Sequence, residues 1–88
     1  MFKLRFIHLG EDDDVMILDP GVGPSLLVAL ADLDRQICLN CGPDHSLWND
    51  SAFDLNEFRS VMTTVNACYT RHDPQNTDDD FEIILEEV

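Results

Sequence analysis

Residues 2–9 sort with a period of two: Phe2, Leu4, Phe6 and His8 fall on one side, Lys3, Arg5, Ile7 and Leu9 on the other. Successive side chains of an extended backbone point to opposite faces, so this pattern predicts a strand. Gly10 and the acidic run Glu11, Asp12, Asp13, Asp14 supply a turn. Residues 15–18 then read as a short second strand, ended by Asp19-Pro20-Gly21. The two strands predict a hairpin with an acidic tip.

Residues 26–33 form a near-continuous apolar run. Pro24 just ahead of it and its Leu and Ala content favour a helix, while the unbroken run also suits a buried strand; helix is the preferred reading. Residues 37–39 have strand character, and Cys41-Gly42-Pro43-Asp44 reads as a closing turn. The clearest element is a helix over residues 54–72. There Asp54 can cap, Glu57 stands three residues on, and Leu55, Phe58, Val61, Met62, Val65, Cys68 and Tyr69 make one stripe. Pro74 stops that helix, residues 75–80 make a polar loop, and residues 81–85 form a last strand. The expected architecture is α+β: one domain over residues 1–88, a small mixed or antiparallel sheet with one or two helices packed on one face. Each Asp triplet, at 12–14 and 78–80, feeds an apolar strand. Were those two strands parallel and in register, both triplets would share one sheet edge.

Charge changes the picture most. Eighteen Asp and Glu stand against five Lys and Arg, a formal charge of -13. Such a surface repels nucleic acid and anionic membrane and favours basic partners. An apolar content of 44% separates the chain from disordered acidic tails, so the acid belongs to a folded surface. Self-repulsion then costs stability, and salt screens it beyond a Debye length of about 10 Å at 0.1 M. Moderate salt is therefore expected to raise the melting temperature; a fall between low and moderate salt would contradict this. No run of 18 apolar residues spans a bilayer, and the start of the chain alternates basic and apolar residues where a signal peptide would be continuously apolar. A cytoplasmic protein with reduced thiols is the expectation, in which case the Asn49-Asp50-Ser51 triplet is no glycosylation site.

Candidate chemistry is sparse. The consecutive acids of 11–14 lack the alternating ligands, sixth-position Gly and twelfth-position Glu of a calcium-binding loop. Cys38 and Cys41, spaced as zinc ligands often are, could combine with Cys68 and His72, which share a face if residues 54–72 are helical. One structural zinc is conceivable on that basis, with His45 competing for the fourth place. The opposing reading makes Cys68 a small core hydrophobe and His72 a residue favoured at a helix end. A redox role is disfavoured, because Gly42-Pro43-Asp44 follows the second cysteine where a helix should run. No nucleophile-elbow motif occurs, and Gly21-Val22-Gly23 lacks the rest of a phosphate loop and reads as a tight turn. Catalysis is not expected.

The functional expectation therefore rests on the acid. Duplex DNA carries about one charge per 1.7 Å, and the proteins that bind it present matching basic grooves. A carboxylate array of Glu11, Asp12, Asp13, Asp14, Asp78, Asp79, Asp80, Glu82, Glu86 and Glu87 would compete for such a groove. In size and charge the chain is similar to the small acidic inhibitors of phages and mobile elements, among them anti-restriction proteins, anti-CRISPR proteins and uracil-glycosylase inhibitors; the similarity involves no shared motif. It implies a basic, nucleic-acid-handling protein as partner. The alternative is a zinc-stabilised interaction module, held by Cys38, Cys41, Cys68 and His72, whose acidic surface is incidental. Trp48 and Phe53, between the third strand and the long helix, are expected either to close the core or to anchor a partner, with core packing favoured.

Overall fold

A computed structural model of the chain describes residues 1–9, 18–75 and 80–86. The element order is β1 (Phe2–His8), β2 (Gly21–Gly23), α1 (Leu26–Cys41), two 3₁₀ turns (Pro43–His45 and Leu47–Asn49), α2 (Leu55–Val61), β3 (Cys68–Arg71) and β4 (Phe81–Glu86). Among the described residues the strands make one antiparallel sheet in the order β2-β1-β4-β3. The fold is thus a small α+β layer, as the alternation of apolar positions implies.

The registers Leu4↔Leu85, Phe6↔Ile83 and Tyr69↔Ile83 put the large apolar residues of β1, β3 and β4 on one face. Leu4, Leu30, Leu33, Phe58 and Ile83 are completely buried there, in one core shared with Phe53, Met62, Tyr69, Phe81 and Leu85. Full burial of each such side chain is worth about 1.5–3 kcal/mol. The opposite face carries Lys3, Arg5, Ile7, Cys68, Thr70, Glu82, Ile84 and Glu86.

Three expectations are corrected. Residues 37–39 are not a strand: α1 runs on to Cys41, capped by the Ser25 hydroxyl and ended at Gly42, whose φ of 102° an L side chain rarely adopts. Asp34 does not interrupt the helix, because it lies on the buried side of α1 beside Leu30, Leu33 and Ile37. The helix over 54–72 is only its first two turns. Asp54 caps it, accepting from the Glu57 N–H at 3.1 Å, and Phe53 packs on Phe58 as a staple, with ring centroids 5.7 Å apart. The helix then stops at Val61, before the β-branched pair Thr63 and Thr64, and Asn66 turns the chain at φ 71° into β3. Finally, Gly21–Gly23 is a strand and not a turn. It lies so close to α1 that a Cβ on Gly21 would meet the Ala29 carbonyl and stand 2.7 Å from the Leu33 Cβ. The second strand expected at 15–18 falls mainly outside the described residues, as does the proposed parallel pairing of the two triplet-bearing strands; Leu18 itself is not in a strand.

The short edge strand β2 is blunted. Its outward Val22 N–H donates to Asp32 of α1 at 3.0 Å, and Asp32 also holds Arg35 at 2.9 Å. Those two bonds, led by the Val22 N–H, keep the Asp32 carboxyl below its ordinary range.

Candidate functional site

The end of the sheet where β1 and β3 finish and β4 begins is built around one buried cation. Tyr69 and Arg71 point inward on β3; Tyr69 fills the core, and its hydroxyl accepts from the Asp54 N–H at 3.0 Å. Arg71 is 5% exposed and spreads its guanidinium over three carboxylates. Its Nε lies 3.0 Å from Asp50 Oδ2, one terminal nitrogen lies 3.2 Å from Asp80 Oδ1, and the other is 3.1 Å from Asp50 Oδ1 and 3.8 Å from Asp73. Burial opposes the charge on Arg71, but the Asp50 hydrogen bond and the fields of Asp50, Asp73 and Asp80 outweigh it, so the cation is held more firmly than usual.

Asp80 is the hub on the acidic side. It accepts from the Asp73 N–H at 2.9 Å and lies 2.7 Å from His72 Nδ1 as well as reaching Arg71. The Asp73 N–H, above all, holds its carboxyl below the ordinary range against the desolvation that opposes it, with His72 and Arg71 adding to the effect. The backbone carbonyl of Asp80 accepts from the Leu9 N–H at 2.8 Å. Leu9 leads into Glu11, Asp12, Asp13 and Asp14, and Asp80 is reached through Asp78 and Asp79. The anchor points of both acidic segments are therefore bonded to each other, and none of these six carboxylates lies more than five residues along the chain from an anchor.

The expected partner-binding residues divide three ways. Glu11, Asp12, Asp13, Asp14, Asp78, Asp79 and Glu87 lie outside the described residues. Asp80 is buried, 7% exposed, with its carboxylate turned to Arg71 and His72. Glu82 and Glu86 are half-buried on the outer face of β4. Glu86 sits six residues from Asp80, about 20 Å along an extended strand, and pairs with Arg5 at 3.3 Å and Lys3 at 4.0 Å. Among the described residues of the array, Asp80 thus turns inward and Glu86 stands at the other end of the strand.

The four expected zinc ligands are not brought together. Cys68 and His72 are separated by strand, not by a helical turn, and Cys68 is on the outer face of the sheet while Cys38 and Cys41 belong to α1 on the inner face. Cys38 is directed to Asp34, with Sγ 4.0 Å from Oδ2. Partial desolvation and then the Glu82 charge push the Cys68 thiol up, away from the thiolate a metal would need. Among the described residues no three His, Cys, Asp or Glu side chains are placed to hold a metal ion.

Two anchors escaped sequence reasoning. Arg71 stood in a stretch read as helix, and four strand residues are too few for their period to be recognised. Asp34, 7% exposed, accepts from the Ser46 hydroxyl at 3.0 Å and from the Leu47 N–H at 2.6 Å, pinning the 3₁₀ turns to α1. Phe53 is buried as expected of a core residue, whereas Trp48 is 51% exposed. Compared with protein-family models, curated proteins and solved structures, the chain finds no match. Among the described residues no helix is long and apolar enough to cross a membrane.

Proposed function

We propose that this chain is a non-enzymatic acidic binder that occupies the basic surface of a nucleic-acid-handling protein and inhibits or modulates it, its carboxylates standing in for phosphates. The observation that supports this reading best is the 2.8 Å bond between Leu9 and Asp80 at the Arg71 clasp, which joins the residues that flank both acid-rich segments at one end of the sheet. The distribution of cations adds to it. Lys3 and Arg5 are committed to Glu86, Arg35 to Asp32, and Arg71 to Asp50, Asp73 and Asp80. Five bases cannot neutralise eighteen acids, and four of the five are paired with carboxylates of the chain itself, Arg71 in the interior and Lys3, Arg5 and Arg35 at the surface.

A surface of this sign steers a basic partner and speeds its association, an effect that falls with ionic strength. Counterions released from a mimicked backbone contact make affinity fall steeply with salt, as for DNA itself. The test is competition: increasing amounts of the protein are added to a basic DNA-binding protein loaded with labelled duplex. Displacement of the duplex at low salt, weakened at high salt, is the expected result. Simultaneous binding of duplex and protein by the partner would contradict phosphate mimicry.

A further inference from the structure

We infer that Trp48 is the anchor of this binding surface and that it takes an arginine side chain of the basic partner, the guanidinium stacking on the exposed indole; the inference rests on the proposed function. Trp48 leaves about half of the largest aromatic side chain in water, an amphipathic group suited to an interface. Here its exposure is built in. The residues just before it, Ser46 and Leu47, are 8% and 2% exposed and bonded to buried Asp34, through the Ser46 hydroxyl and the Leu47 N–H. The residue two positions after it, Asp50, accepts from the Ala52 N–H at 2.9 Å and from buried Arg71 at 3.1 Å. The Trp48 backbone is thus fixed on both sides while its ring is free of the core. A rigid aromatic loses little freedom on binding, which is the property of interface hot spots.

Position and charge decide the occupant. Asp50, Arg71 and Asp80 form a continuous chain of charged contacts from the Trp48 turn to the Leu9 and Asp80 anchors. The Trp48 turn is therefore linked through this chain of ion pairs to the end of the sheet where Leu9 and Asp80 are bonded. A cationic partner brought there by charge meets an indole face, and of the two basic side chains arginine is the one that stacks on aromatic rings as well as pairing with carboxylates.

Trp48 is the chain's one tryptophan, so its emission reports this site alone. The full chain is titrated at low salt with two short peptides of equal charge, one of arginine and one of lysine, following intrinsic fluorescence and, separately, calorimetric heat. The arginine peptide should change the emission and bind about threefold to fivefold more tightly than the lysine peptide. That preference should vanish in Trp48→Ala and survive in part in Trp48→Phe. Both variants should keep the wild-type melting temperature within a few degrees, because the ring is not in the core. If the peptides bind without moving the emission, and Trp48→Ala keeps the same preference, the anchor is overturned while the acidic-binder reading stands. If neither peptide binds wild type at low salt, the acidic-binder reading itself fails.

Discussion

Arg71→Ala is expected to be the most damaging charge substitution in the protein, lowering stability by about 3–5 kcal/mol at pH 7. The loss does not come from the pairs' own attraction, which desolvation largely offsets. It comes from stranding Asp50, Asp73 and Asp80 around a hole with no cation, in a chain already at -13. A domain of this size has about 5–15 kcal/mol in total, so the variant would be marginal. Acid supplies the control. The Asp80 carboxyl is held below its unfolded value, so its contribution is complete above pH about 4 and drains away as pH falls further through the folded value. Protonation of Asp80 also removes its repulsion toward its stranded neighbours. The gap between wild type and Arg71→Ala in urea denaturation should therefore narrow from pH 7 to pH 3. An equal gap at both values would mean that Arg71 acts by packing alone.

Gly21→Ala is expected to cost about 3 kcal/mol, the upper part of the range for overpacking, although it adds one methyl group. The atoms that a Cβ would meet are the Ala29 carbonyl, the Leu33 N at 2.8 Å and the Leu33 Cβ at 2.7 Å, all backbone or nearly so. None can swing aside as the tip of a long side chain would. Either β2 leaves β1 or α1 lifts from its seat on Leu4. Val22→Ala next door, on an exposed side chain, is the matched control and should stay within about 1 kcal/mol of wild type. Thermal denaturation of the two variants separates the outcomes; a Gly21→Ala protein as stable as the control would contradict the close strand–helix contact.

The elements legible in the sequence were those with a strong local signal. β1 shows a period of two, β4 is a short apolar run after a polar loop, and Asp54 with Glu57 marks the start of α2. The local pattern points elsewhere where tertiary contacts override it. Asp34 follows the apolar run of 26–33 as a charged residue, yet Ser46 and Leu47, more than ten residues on, satisfy its carboxylate and let α1 continue through it. Cys68 and Tyr69 extended a helical stripe, but in β3 their side chains part to opposite faces. The candidate site was legible as composition only. That the acid triplets mattered could be read from their number; that Asp80 would turn inward to Arg71 and His72 could not, because the pairing of Asp50, Arg71 and Asp80 spans thirty residues and is made by the fold.

The most direct test of electrostatic binding is the dissociation constant of the protein with a basic DNA-binding partner, isolated at low salt and measured across a tenfold rise in salt. Binding through carboxylates that replace phosphates predicts a linear fall of log affinity with log salt, losing at least about tenfold over that range. An affinity unchanged across the tenfold rise would contradict it and assign the interface to apolar contacts instead.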